Sequence, residues 1–212
     1  MRIALLGAES TGKTRLTQEL ARHLQDPGRS VAVVPEVLRE WCGQQGRTPR
    51  QDEQYAIAQE QARRVDAATA DIVIADTTPL MIAIYSDMLF ADTSLYNFAI
   101  THQRSYDLTL VTGLDLPWVA DGLQRDGQHV REPVDALLRA ALERARVNYK
   151  VVYGTGPQRL DNALLAVPGS GNTRTGVQGN GAWSCDKCSD PECEHRLFTG
   201  LLRSKAAGRP SP

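Results

Sequence analysis

Residues 7–14 read GAESTGKT, follow the apolar run RIALL and match the pattern G-x-x-x-x-G-K-[ST]. The glycines Gly7 and Gly12 let the backbone turn its N–H groups inward around an anion, and the helix that follows adds the positive end of its dipole. Lys13 supplies a positive charge for the β- and γ-phosphates, and Thr14 supplies a hydroxyl for Mg²⁺. The sequence therefore predicts a P-loop that binds a nucleotide through Gly7, Glu9, Ser10, Thr11, Gly12, Lys13 and Thr14.

Two acidic residues end neighbouring apolar segments, Glu36 in VVPEVLREW and Asp76 in DIVIAD. In a doubly wound sheet, ligands bind beyond the carboxyl ends of the strands, so both acids are candidates for the site. Asp76 has the position of a Walker B carboxylate that holds Mg²⁺ through water, and either acid could orient or deprotonate an acceptor hydroxyl. Each could instead be an acid favoured by a helix N-terminus. Arg39, one helical turn after Glu36, is expected to line the same cleft.

Cations that cover a transferring phosphate are expected in the polar, glycine-broken segment 113–138. Small kinases place a mobile lid there, whose arginines close over the nucleotide and exclude water. Arg125 and Arg131 are the candidate lid residues. The alternative is that each is a solvated surface charge, as lone arginines usually are.

The P-loop alone leaves several reactions open, because kinases, GTPases, motors and regulatory ATPases share it. The guanine-specific pattern N-K-x-D is absent from the sequence, and no second long domain follows. These features disfavour a GTPase and a motor. The remaining interpretation is a small kinase, in which the acids would serve Mg²⁺ and the acceptor hydroxyl and the cations would cover the transferring phosphate.

The elements that position these residues alternate between short Val-, Ile- and Leu-rich runs and longer helical patterns, as in a parallel sheet covered by helices on both faces. Predicted strands are residues 2–7, 30–36, 71–76, 106–113 and 149–154. A helix is expected to open at Pro49, two helices to fill 78–104 with cap-type residues between them, and others to cover 131–147 and 156–167. The predicted fold class is α/β, a P-loop NTPase three-layer sandwich with a five-stranded parallel sheet.

Composition limits the partners that the chain can have. Its 212 residues carry a formal net charge of −1, and no stretch approaches the ~18 apolar residues of a membrane helix. We therefore predict a soluble, cytoplasmic protein with no membrane or nucleic-acid partner. The expected organisation is a catalytic domain over 1–167, a flexible glycine-rich linker over 168–182 and a cysteine-rich tail over 183–212.

The tail contains the pattern C-x₂-C-x₄-C-x-H. Three thiolates and an imidazole form a common tetrahedral zinc set, and a segment this short needs such a site to become ordered. The predicted zinc ligands are Cys185, Cys188, Cys193 and His195. The C-x-H spacing is tighter than usual, so Asp190, Glu192 or Glu194 could substitute for one of these ligands. A redox or disulfide role and an unstructured tail are the alternatives; a zinc site with four protein ligands would serve structure or contact with a partner protein.

The segments GAESTGKTRL, PEVLREW, IADTTPL, YDLTLVTGLDLPWVADGL and REPVDALLRAAL together resemble the kinase domain of NadR-type proteins, over about residues 1–165. The resemblance implies phosphorylation of nicotinamide riboside to nicotinamide mononucleotide with ATP and Mg²⁺, as in NAD salvage. It implies a kinase-type sheet with the loop-bearing strand at its centre. It also implies phosphate binding by Gly12, Lys13 and Thr14, acceptor and metal roles for Glu36 and Asp76, and lid roles for Asp121 and Arg131.

A nicotinamide ring needs aromatic stacking and a pocket that tolerates a cation. Trp41, Tyr55 and Tyr85 are candidates, with Tyr55 favoured. The leading hypothesis is thus an ATP-dependent kinase for a small ribosyl acceptor. The alternatives are a kinase for another nucleoside or nucleotide, and a nucleotide-sensing regulatory ATPase whose zinc-bearing tail binds a partner.

Overall fold

The computed structural model describes residues 1–119 and 128–169. Five strands in this part of the chain form one parallel sheet in the order β2-β3-β1-β4-β5. They are β1 Arg2–Leu6, β2 Val31–Val34, β3 Ile72–Asp76, β4 Leu108–Thr112 and β5 Lys150–Val152. All five predicted strands are confirmed, each somewhat shorter than its apolar run. The strand that leads into the P-loop lies at the centre of the sheet, as the resemblance implies.

The described residues also form seven α-helices and one short 3₁₀ turn, Gln128–Val130. The helices are α1 Lys13–Leu24, α2 Val37–Gln45, α3 Gln51–Ala67, α4 Pro79–Phe90, α5 Tyr96–Gln103, α6 Arg131–Arg144 and α7 Gly156–Ala166. The two helices predicted within 78–104 are confirmed as α4 and α5. None of the helices in the described ranges combines the length and the apolar character needed to cross a membrane.

Alternation along the central strand divides the core between the two faces of the sheet. Ile3 and Leu5 pack with Leu16 and Leu20 of α1 and with α7, while Ala4 and Leu6 face the larger set of helices that includes α3, α4 and α6. Side chains of successive strand residues point to opposite faces, so a strand buried on both sides reads as a continuous apolar run. Burying each large aliphatic side chain contributes about 1.5–3 kcal/mol.

Local signals explain where the helices next to the site begin. Thr78 accepts a hydrogen bond from the Leu80 amide at 3.3 Å and caps α4, which starts at Pro79. The helix expected to open at Pro49 instead begins at Gln51, because Glu53 folds back to accept a hydrogen bond from the Arg50 amide at 2.7 Å. Residues 46–50, which include Pro49, are therefore a short connection between α2 and α3.

Candidate active site

The loop between β1 and α1 adopts backbone conformations that require glycine. Gly7 has φ 142°, and a Cβ at this position would overlap the Thr112 hydroxyl of β4 and lie 3.1 Å from the Thr112 carbonyl oxygen. Gly12, the residue before α1, has φ 76°. These torsions and the close approach to β4 let the loop wrap around a hollow at the N-terminus of α1, where helix N–H groups lack carbonyl partners.

Lys13 lies across this loop. Its Nζ donates hydrogen bonds to the carbonyl oxygens of Gly7 and Ala8, both at 2.8 Å, so two of its three N–H donors are used within the loop. Burial lowers the pKa of Lys13, while the nearby carboxylates of Glu36 and Asp76 act to raise that pKa. The ammonium group is thus held at the loop with one donor left for a phosphate oxygen.

Hydroxyl groups beneath the loop fix its shape. Thr11 is fully buried and donates to the Ala8 carbonyl at 2.7 Å, and its hydroxyl lies 2.6 Å from that of Thr112. Ser10 donates to the Val119 carbonyl at 2.7 Å, which ties the loop to the segment after β4. The loop is therefore braced on both sides before any ligand binds.

The two predicted carboxylates lie near Lys13. Glu36 occupies the N-cap position of α2, and its carboxylate is 3.5 Å from the Arg39 guanidinium. Asp76 ends β3 beside Leu5 and is 3% exposed, and its Oδ1 has no hydrogen-bond partner among the described residues. A buried carboxylate oxygen without a protein partner fits a group that completes its bonding with a metal-bound water.

A cavity of about 120 Å³ opens beside the loop. Its lining combines charged residues near Lys13 with a less polar remainder: Glu9, Ser10, Lys13, Glu36, Leu38, Arg39, Cys42, Thr48, Pro49, Gln54, Tyr85 and Leu89. We call it the acceptor cavity. An open groove of about 560 Å³ runs over residues 10–15 and along Leu116, Pro117 and Val119. Ser10, Lys13 and Arg39 line both spaces, so the two meet at these side chains.

The residues present fit ATP with Mg²⁺. The glycine cradle and the free donor of Lys13 suit the phosphates, and Thr14, in the first turn of α1, and Asp76 suit the ion. Within residues 1–119 and 128–169, no cluster of three or more His, Cys, Asp or Glu side chains is arranged to hold a metal. Of the predicted site residues, Asp121, Arg125, Cys185, Cys188, Cys193 and His195 lie outside the described residues.

Two predicted residues lie away from the acceptor cavity. Arg131 begins α6, is 5% exposed and donates to the Leu114 carbonyl at 3.2 Å, so it is buried behind the segment after β4. Tyr55 is 47% exposed and packs edge-on against Phe98. Neither lines the acceptor cavity, where Tyr85 is the aromatic residue in contact.

Sequence reasoning missed a buried arginine behind the P-loop. Arg159 of α7 is 4% exposed and donates to the Thr11 carbonyl at 2.9 Å, the Gly154 carbonyl at 2.8 Å and the Asp115 carboxylate at 3.0 Å. It joins the P-loop to the segments that follow β4 and β5. Its spacing of four residues from buried Ala163 places it on the inner face of the helix, which was the available signal.

Comparisons with known proteins address the fold and the family. Residues 2–159 match the model of a family described as AAA domain. No curated protein sequence matches the chain. Among solved structures, the chain is similar to a NadR protein in complex with NR, with 20% identity and a TM-score of 0.63, over 78% of this chain and 49% of that chain. The present chain thus spans about half the length of that NadR protein.

Two structures of deoxyadenosine kinase from M. mycoides are also similar. The one with dCMP and dCDP shares 14% identity and a TM-score of 0.55, over 78% of this chain and 97% of that chain. The one with bound dCTP shares 15% identity and a TM-score of 0.51, over 79% and 100%. The predicted likeness to NadR-type proteins is therefore confirmed at the level of the fold. The match over residues 2–159, with a glycine cradle and a lysine in the expected positions, makes this chain a member of the AAA domain family.

Proposed function

We propose that this chain is a kinase that transfers the γ-phosphoryl group of ATP to a hydroxyl of a small ribosyl acceptor, with nicotinamide riboside as the favoured acceptor. The observation that carries this proposal is the junction of two spaces at Lys13 and Arg39. An open groove over a P-loop suits a nucleotide, and the adjoining cavity suits a second, smaller substrate. A protein that only senses a nucleotide would need the groove and not the adjoining cavity.

The chemistry would consist of positioning and charge neutralisation, as is general for phosphoryl transfer. Lys13 and the loop N–H groups would hold the β- and γ-phosphates, and Thr14 and Asp76 would hold Mg²⁺, which neutralises developing charge when bound. Glu36 lines the acceptor cavity and would orient the attacking hydroxyl and accept its proton. Arg39, on the border of both spaces, would cover the transferring group.

The test is an acceptor panel of nicotinamide riboside, deoxyadenosine, adenosine, cytidine and uridine, with ATP consumption and product mass as readouts. Deoxyadenosine is included because the M. mycoides deoxyadenosine kinase shares this fold over nearly its whole length. We expect acceptor-dependent turnover that falls by at least about 10²-fold in Lys13→Ala.

Arg22→Ala is the matched control, because Arg22 is an exposed cation in the last turn of the same helix and lines neither the groove nor the acceptor cavity. Its turnover should stay within about twofold of the wild type. Wild-type protein that binds ATP and phosphorylates no acceptor would instead favour the regulatory ATPase.

A further inference from the structure

Gln54 of α3 is a buried amide with unused hydrogen-bonding capacity. It is 1% exposed, and its Oε1 has no hydrogen-bond partner among the described residues. Gln61, two turns further along the same helix, is also fully buried, yet it accepts from the Val37 amide at 2.8 Å and donates to the Pro35 carbonyl at 3.3 Å. The described fold therefore satisfies the hydrogen bonds of the Gln61 amide and leaves the Gln54 carbonyl oxygen without one.

Gln54 lines the acceptor cavity together with the apolar residues Leu38, Cys42 and Leu89 and the ring of Tyr85. A buried carbonyl oxygen without a partner destabilises a protein, so such groups are rare unless a ligand or water completes them. An apolar pocket with a few fixed polar groups is the usual construction of a small-molecule site, in which the polar groups set specificity.

The cavity wall that carries Gln54 is held in place. Arg47 makes two hydrogen bonds to the Glu53 carboxylate, at 2.8 and 2.7 Å, and lies 4.8 Å over the Trp41 ring. These contacts hold the connection 46–50, whose residues Thr48 and Pro49 line the cavity beside Gln54. A fixed wall of this kind positions the Gln54 amide before a ligand binds.

We propose that Gln54 determines which acceptor binds, by accepting a hydrogen bond at Oε1 from an N–H group on the acceptor's heterocyclic ring. This inference rests on the proposed function, because the proposed function places the reacting hydroxyl of the acceptor at the charged part of the cavity, beside Lys13, Glu36 and Arg39. The heterocyclic ring of the acceptor then lies in the less polar part of the cavity. The expected substrate class is a nucleoside whose ring carries an exocyclic amino or carboxamide group.

The experiment compares Gln54→Met with wild type on paired acceptors that differ only in that group. The pairs are nicotinamide riboside and pyridinium riboside, adenosine and purine riboside, and cytidine and its analogue without the amino group. For the best acceptor, kcat/KM should fall about 30-fold in Gln54→Met and less than about threefold for its truncated partner. The thermal midpoint of the variant without ligand should stay or rise, because an unpartnered buried oxygen is removed.

Gln59→Met is the matched control, since Gln59 is exposed on the same helix and lies outside the acceptor cavity. This control variant should leave kcat/KM unchanged for both members of each acceptor pair. Equal losses on both members of a pair, losses of the same size in Gln59→Met, or a lowered thermal midpoint in Gln54→Met would each overturn the inference, because they would point to a structural role.

Calorimetric binding of the same pairs, with a non-hydrolysable ATP analogue and Mg²⁺ present, separates this inference from the proposed function. If wild type phosphorylates nothing but binds an amino- or carboxamide-bearing nucleoside through Gln54, the kinase proposal fails and the Gln54 assignment stands. If turnover occurs without dependence on Gln54, only this inference fails. If no nucleoside binds or reacts, both are overturned.

Discussion

At the scale of single residues, the site consists of groups that the fold buries without using all of their hydrogen-bonding capacity. Lys13 keeps one donor after bonding Gly7 and Ala8, and Asp76 and Gln54 each keep a buried oxygen without a partner in the described residues. Such groups destabilise the folded state, and they become favourable when a ligand completes their bonds. Lys13 lines both the groove and the acceptor cavity, Gln54 lines the cavity, and the carboxylate of Asp76 lies near enough to Lys13 to act on its pKa, so these groups are preorganised for charged and polar ligands.

Gly7→Ala tests the shape of the cradle. The added Cβ would overlap the Thr112 hydroxyl at a φ that side chains rarely adopt, so we expect a loss of about 2 kcal/mol in the free energy of unfolding, together with weaker ATP binding. Gly43→Ala is the control: Gly43 lies inside α2 with open space around it, and alanine there should stabilise by about 0.5–1 kcal/mol. Urea unfolding of both variants measures the difference, and equal effects would contradict the cradle geometry.

The two carboxylates should respond differently to loss of charge. Glu36 lines the acceptor cavity with Arg39, whereas Asp76 is buried at the end of β3 and does not line it. Asp76→Asn should raise the Mg²⁺ concentration needed for half-maximal turnover about tenfold or more, while Glu36→Gln should lower kcat about 10²-fold with little change in that concentration. Magnesium titrations of the two variants at saturating ATP check this. If Glu36→Gln instead raised the Mg²⁺ requirement and Asp76→Asn lowered only kcat, the proposed roles of the two carboxylates would be reversed.

At the scale of elements, the P-loop depends on a helix that is distant in sequence. Arg159 of α7 bonds the carbonyl oxygens of Thr11 and Gly154 and the carboxylate of Asp115, and so ties three loops at the carboxyl edge of the sheet. Because these bonds lie behind the loop and Arg159 does not line the acceptor cavity, we expect Arg159 to position the P-loop for the nucleotide.

Arg159→Met should therefore raise KM for ATP about tenfold and leave KM for the acceptor within about twofold, because only the nucleotide side of the site loses support. Steady-state kinetics with each substrate varied separately measures the split. Gln158→Met, an exposed change on the same helix, is the control and should alter neither constant. A rise of equal size in both KM values would show general damage to the fold instead.

The elements were largely predictable because the signals that specify them are local. The runs 2–7 and 71–76 could be recognised as buried strands from composition, and the P-loop from a fixed spacing. Contacts between residues far apart in the chain could not be predicted in the same way. The hydrogen bond between Arg159 and Thr11 joins residues that are 148 positions apart. The lack of a hydrogen-bond partner for Gln54 Oε1 among the described residues depends on which α2 and α4 side chains surround it. The start of α3 was displaced by the Glu53 contact with Arg50, which propensity alone does not reveal.

At the scale of the whole molecule, the chain combines an AAA-domain unit over residues 2–159 with a cysteine-rich segment that lies outside the described residues. The domain boundaries at 167 and 182, the zinc site and a partner-binding role for the tail stay predictions from the sequence. The described unit has its ligand-binding features at the carboxyl edge of the sheet, where parallel α/β folds place them. The opposite edge, where β1 begins at Arg2, contains a buried ionisable group with no place in the proposed reaction.

That group is His102 of α5, whose side chain is 9% exposed and lies edge-on to the Tyr106 ring at 5.5 Å. Burial lowers the pKa of His102 below its ordinary 6.5, although the carboxylate of Asp66, 3.8 Å away, opposes this shift. The folded state therefore favours the neutral imidazole. Below pH 6.5 the unfolded chain binds a proton that the folded chain resists, so stability is fully present above pH 6.5 and falls as the pH drops toward the folded-state pKa.

We expect His102 to lower the free energy of unfolding as the pH falls below 6.5, with a slope of at most about 0.7 kcal/mol per pH unit near 6.5, where the unfolded imidazole is half protonated, and never above the limit of about 1.4 kcal/mol for one proton. His102→Phe keeps a ring against Tyr106 and removes the titration, so urea unfolding one unit above and one unit below pH 6.5 should show a smaller acid loss in this variant than in wild type. His23→Phe changes an exposed histidine of α1 and should keep the wild-type dependence. Equal acid losses in wild type and His102→Phe would mean that His102 is not held neutral by the fold, and that carboxylates alone set the acid sensitivity.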